Sequence, residues 1–159
     1  LKKRRLTIAT AESCTGGLIA KMLTDVPGSS AWFRGGWIPY SVAMKRDTLD
    51  VPAELLLKYG PVSEPVAGRM AENACRLARS DFGLSTTGIA GPDGGTPDIP
   101  AGTVWIAMAR RGGRTAAVEL LRLPGDRELV RERAAKTALN MLRLALSEQG
   151  SRPAESRTA

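Results

Sequence analysis

Residues 6–17, Leu6-Thr7-Ile8-Ala9-Thr10-Ala11-Glu12-Ser13-Cys14-Thr15-Gly16-Gly17, decide the fold class of this chain. Residues 6–11 are small or apolar and read as a buried strand. A hydroxyl, a thiol, a second hydroxyl and two glycines follow, and residues 17–25 read as a helix that Val26-Pro27-Gly28 ends. A strand that turns directly into a helix gathers side-chain hydroxyls and free N–H groups at a helix N-terminus, where negative charge is stabilised. The sequence contains no histidine. A hydroxyl nucleophile in this turn would therefore need a base other than imidazole.

Outward from that segment, the pattern alternates strands with helices. Trp37-Ile38-Pro39-Tyr40 reads as a second strand, at an edge or near its end because of Pro39. Residues 42–49 and 52–59 read as short helices, and Ser63-Glu64-Pro65 opens a longer one through about Arg79, with Ser63 as its cap. Residues 82–87 form a third strand that runs into the glycine-rich loop Gly88-Ile89-Ala90-Gly91-Pro92-Asp93-Gly94-Gly95. Residues 103–110 and 115–123 read as a hairpin around Arg111-Gly112-Gly113-Arg114, and a final helix spans about 126–147. The expected fold is α/β: a three-layer α/β/α sandwich with a mixed sheet of about five strands. Residues 1–150 are expected to form a single domain and residues 151–159 a polar, disordered tail.

The bulk numbers narrow the function classes. With 159 residues the chain can build a substantial core, since a domain of this size buries roughly 70% of its unfolded-chain surface. The net charge of +7 is concentrated at the ends: Lys2, Lys3, Arg4 and Arg5 supply four charges and the tail one, leaving +2 for residues 6–150. With aromatics at only 4%, this argues against nucleic-acid binding. Cys14 and Cys75, the only cysteines, make no disulfide framework, and no zinc pattern exists. No apolar run has the length of a membrane span and no signal-peptide pattern is visible, so the expected location is the cytoplasm.

Several residues are candidates for chemistry. Ser13 is the leading nucleophile, although Ser, Thr and Gly are also what a capped turn requires. Cys14 competes because a helix N-terminus lowers a thiol pKa, but alternation along the strand points Ser13 and Cys14 to opposite sides. Lys45 is the leading base. A lysine can take a serine proton only when neutral, which demands burial or a nearby positive charge; a solvated surface lysine is the alternative. The loop beginning at Gly88 can wrap a phosphate or ribose or be a turn only, and it lacks the endings of a P-loop or a dinucleotide fingerprint. Asp126 reads as the cap of the last helix, with Arg127 either a phosphate clamp or a surface arginine.

Together these segments resemble the C-terminal domain family of CinA, the competence/damage-inducible protein. The matching pieces are residues 10–17, Pro27-Gly28-Ser29-Ser30-Ala31-Trp32-Phe33, Tyr40-Ser41 with Lys45, residues 60–66, Thr87-Gly88-Ile89-Ala90-Gly91-Pro92-Asp93-Gly94-Gly95, residues 100–104 and Gly125-Asp126-Arg127. Stand-alone members of that family are nicotinamide-nucleotide amidases. The resemblance therefore implies hydrolysis of the carboxamide of nicotinamide mononucleotide (NMN) to nicotinate mononucleotide and ammonia, without a cofactor. It implies Ser13 as nucleophile and Lys45 as base, with Tyr40, Ser30, Thr87 and Arg127 positioning or stabilising. Backbone N–H groups near Thr15, Gly16 and Gly17 are expected to hold the oxyanion. Thr15, Gly16, Gly17, Ser30, Thr87, Gly88 and Arg127 are the expected substrate-binding residues.

The resemblance also implies a homo-oligomer and a small nucleotide as partner, and a helix before the first strand of which Lys2–Arg5 would be the end. Val42-Ala43-Met44 stands where the family carries Asn and further polar residues, a departure that favours the alternative: a non-catalytic nucleotide-binding or protein-interaction module linked to competence and DNA damage.

Overall fold

The computed structural model describes residues 1–112 and 114–148. Its strands are β1 (Ile8–Glu12), β2 (Phe33–Trp37), β3 (Phe82–Gly88), β4 (Thr103–Arg110) and β5 (Arg114–Arg122). Its α-helices are α1 (Leu18–Thr24), α2 (Val42–Asp47), α3 (Ala53–Tyr59), α4 (Glu64–Leu77) and α5 (Arg127–Glu148), and Lys2–Arg4 and Ser29–Ala31 form short 3-10 turns. The expected tail at 151–159 and Gly113 of the hairpin lie outside the described residues.

The five strands form one mixed sheet in the order β2-β1-β3-β4-β5. β1 runs parallel to both β2 and β3, while β4 and β5 are antiparallel to their neighbours. The chain leaves β1 toward β2 on one side, then crosses through α2, α3 and α4 to enter β3 on the other. Such a reversal opens a crevice beyond the carboxyl ends of the adjacent parallel strands, here β1 and β3. Ser13 follows β1 and Gly88 ends β3, so the fold brings them to one place.

Side-chain alternation on β1 builds the three layers. Ile8 joins Leu84, Ile106, Ile19, Val130 and Ala134 in the core under α1 and α5. Ala9 and Ala11 face the other way, against Val66, Met70 and Ala74 of α4. Small residues let α4 lie close to the sheet: a Cβ on Gly83 would fall 2.1 Å from the Ala71 carbonyl oxygen.

The second strand lies at Phe33–Trp37, earlier than the 37–40 expected. Gly35 and Gly36 hide it, being poor strand formers in isolation. At Gly36 the reason is local, since a Cβ there would lie 2.2 Å from Thr10 Oγ1 on the neighbouring strand. Pro39 and Tyr40 consequently fall in the loop after β2, at the same end of the sheet as Ser13.

Candidate active site

Ser13 is held by the sheet at its own backbone: its N–H donates to Thr86 O at 2.9 Å. Gly16 and Gly17 then adopt φ values of +61° and +94°, a region that favours glycine, and turn the chain into α1. Alternation sends Ser13 toward α2 and Cys14 into the core beneath α1 and α5, as the sequence suggested. Burial pushes the Cys14 thiol up to about 11, so it is a poor source of thiolate.

Lys45 arrives from α2, whose first turn is capped by Ser41 Oγ accepting from Met44 N at 3.2 Å. Its side chain is 2% exposed. The Nζ lies 2.9 Å from Ser13 Oγ and donates to the Pro39 carbonyl at 3.0 Å. Among the described residues no carboxylate pairs with it, and burial pulls its pKa down to about 8. About a tenth of the amine is therefore neutral at pH 7 and half at pH 8, where an ordinary lysine would be almost wholly charged. Val42 is about half exposed and makes none of these contacts, so the hold on Lys45 comes from Pro39 and from burial, independently of residue 42.

The mouth of the site is built from chain segments far apart in sequence. Arg127, the first residue of α5, donates through Nη2 to Tyr40 Oη at 2.6 Å and through Nη1 to Gly91 O at 3.1 Å. Asp126 Oδ1 caps α5 by accepting from Leu129 N at 2.9 Å. A cavity of about 210 Å³ lies between these groups, with Ser13, Tyr40, Gly88, Gly91, Asp93 and Arg127 in its wall.

Five of the expected binding residues stand elsewhere. Thr15 is fully buried and bonds Glu12 and Thr86 through its hydroxyl at 2.8 Å each. The Gly16 N–H donates to Ser13 O at 3.1 Å, and the Gly17 N–H to Glu12 Oε2 at 3.1 Å. The Gly16 and Gly17 N–H groups, two of the expected oxyanion donors at this helix start, are therefore already spent. Thr87 Oγ1 donates to Pro61 O at 2.6 Å, tying β3 to the loop before α4. Ser30 lies exposed in the turn before β2, at the opposite end of the strands from Ser13 and roughly 15 Å away by strand length.

A family model of the CinA C-terminal domain matches residues 1–146. The chain belongs to that family. It is 55% identical over 146 residues to a CinA-like protein of Anaeromyxobacter sp. (strain Fw109-5), covering 92% of this chain and 35% of that protein. It thus spans about a third of the length of such curated CinA-like proteins. It is also 48% identical over 143 residues to the nicotinamide-nucleotide amidohydrolase PncC of Escherichia coli (strain K12), covering 89% of this chain and 86% of PncC. The fold matches the crystal structure of the competence/damage inducible protein CihA from Agrobacterium tumefaciens with a TM-score of 0.86 and 41% identity, over 91% of this chain and 87% of that one.

Two residues of this CinA domain that shape the site were not singled out by the sequence. Glu12 is fully buried, and its carboxylate accepts from Thr15 Oγ1, Gly17 N, Ile19 N at 2.9 Å and Ala20 N at 2.7 Å. It closes the N-terminus of α1 with an internal anion. The available signal was a lone charge at the end of an otherwise uncharged strand. Arg131 donates to Thr15 O at 2.9 Å, steadying the turn from the far side. It lies one helical turn beyond Arg127, on the same face of α5.

Proposed function

We propose that this CinA domain is an amidohydrolase that cleaves the carboxamide of a nicotinamide nucleotide, NMN in the first instance, through a Ser13 acyl-enzyme. The observation that carries the reading is the buried Lys45 Nζ at 2.9 Å from Ser13 Oγ, with no carboxylate among the described residues to hold it charged. The substrate class is supported by 48% identity to PncC over most of both chains.

The chemistry follows from the pair. Neutral Lys45 takes the Ser13 proton as Oγ bonds to the amide carbon. The tetrahedral adduct collapses, the carbon–nitrogen bond breaks, and Lys45 returns the proton to the departing nitrogen, which leaves as ammonia. Water then attacks the ester, giving up a proton to Lys45, and Ser13 leaves with that proton restored. Ser13, Lys45 and water account for every atom. Arg127, with Tyr40 at its tip, supplies a cation at the cavity mouth suited to the nucleotide phosphate.

Ammonia release from NMN by the purified protein tests this directly. Turnover that disappears in Ser13→Ala and survives iodoacetamide supports it. Binding of NMN without turnover by the unaltered protein would overturn it in favour of a non-catalytic nucleotide-binding module.

A further inference from the structure

We propose that the main-chain N–H of Ala90 is the donor that stabilises the oxyanion formed at Ser13, an inference that rests on the amidase reading above. The usual source of such donors, the helix start after the nucleophile, is largely occupied here. Ser13 N–H is committed to Thr86 O, Gly16 N–H to Ser13 O, and the Gly17, Ile19 and Ala20 N–H groups to Glu12. Only the Cys14 and Thr15 N–H groups are left there without an acceptor among the described residues, and they are the rivals to Ala90 that the measurement below separates. An oxyanion placed over this end of α1 would also meet the buried Glu12 carboxylate, with which it repels.

The opposite wall of the cavity differs. Past the end of β3, Ile89 remains paired on the β4 side: its N–H donates to Thr103 O at 2.9 Å and its carbonyl accepts from Gly102 N at 2.7 Å. Peptide groups of extended chain alternate sides, so the next N–H, that of Ala90, turns from β4 toward the end of β1, where Ser13 stands. Ala90 is 4% exposed and lines the cavity. Its N–H has no acceptor among the described residues, and an orphan N–H at a buried residue is rare. The following residue is fixed in turn, because Gly91 O accepts from Arg127. A buried, unpaired donor on a braced segment facing the nucleophile is what oxyanion stabilisation requires. As Ser13 Oγ bonds to the carbonyl carbon, the π pair moves to oxygen and the serine proton to Lys45. The Ala90 N–H then bonds to that oxygen until the carbon–nitrogen bond breaks and the carbonyl reforms.

Exchange of Ala90 for lactate in the full chain replaces this N–H by an ester oxygen while keeping the methyl group. The expected result is a kcat for NMN lowered about 100- to 1,000-fold, with KM within about threefold of the unaltered protein. Glycolate at Gly102 is the companion variant: it removes the donor to Ile89 O without reaching the cavity, and should leave kcat within about threefold. Equal losses in both variants, or full activity in the Ala90 ester, overturn the inference.

A second measurement needs no variant that must fold. Pyridine-3-boronic acid, which forms a tetrahedral adduct with a serine oxygen, should move the Ala90 amide proton downfield in the unaltered protein and do nothing in Ser13→Ala. Movement at Cys14 or Thr15 with Ala90 unchanged overturns the proposal. A protein that neither hydrolyses NMN nor takes the boronate fails the amidase reading, and this inference with it. One that hydrolyses NMN while Ala90 stays silent fails this inference alone.

Discussion

Lys45 Nζ and Ser13 Oγ lie 2.9 Å apart across the end of the sheet, 32 residues apart in sequence, and the lysine is almost wholly removed from solvent. Its pKa of about 8 comes from that burial. Four expectations follow from this pair and the groups around it.

Activity should rise with pH. Only neutral Lys45 accepts the serine proton, so kcat/KM for NMN increases tenfold per pH unit well below 8, bends near 8 and levels above it. Initial-rate measurements of ammonia release between pH 6 and 10 check this. A profile flat across that interval would show that Lys45 is not the base.

Stability should respond with a definite sign. The Lys45 pKa is about 8 folded against an ordinary 10.5, so between these values the unfolded chain binds more protons and stability rises with pH. Below 8 the folded protein carries a poorly solvated ammonium. Lys45→Met should therefore abolish turnover yet stabilise the protein by on the order of 1–2 kcal/mol at pH 7, after the lost bond to Pro39 is deducted. The advantage should shrink as pH increases from 8 toward 10. Thermal melts of both proteins across that range measure it.

Glu12→Gln tests the internal anion. Four donors converge on the carboxylate, and a Gln would turn its own NH2 toward some of them. The expected cost is about 2–4 kcal/mol in urea unfolding, as when a buried polar network loses a member. Because the turn that carries Ser13 hangs on this carboxylate, kcat should fall while KM for NMN changes little. An unchanged unfolding midpoint would show that Glu12 does not hold the turn.

Arg127→Ala should act on binding. With the cation at the mouth removed, KM for NMN should rise roughly 10- to 100-fold, the equivalent of a charge-assisted contact. Activity toward free nicotinamide, which has no phosphate, should stay where it was. A similar loss for both substrates would make Arg127 a brace for Tyr40 and Gly91 and no phosphate ligand.

Most elements were readable in the sequence because their signals are local. The turn at Ser13-Cys14-Thr15-Gly16-Gly17, the cap at Asp126 and the long helix α4 all rest on neighbouring residues. β2 was misplaced because Gly36 answers to Thr10 on another strand, a contact with no signature in residues 33–37. Ser30 and Thr87 were grouped with the site by resemblance, yet Ser30 lies at the far end of the sheet and the Thr87 hydroxyl is bonded to Pro61.

By itself the sequence determined the α/β class, the strand–turn–helix that presents Ser13, and the absence of an imidazole base. Only the tertiary structure decided what those residues can do. Whether Lys45 is a surface charge or a near-neutral base depends on how much protein surrounds it, and that protein comes from segments distant in the chain. Whether the N-terminus of α1 receives an anion depends on which way Glu12 points. Desolvation and hydrogen-bond occupancy are sums over spatial neighbours, and the sequence orders residues by covalent distance alone.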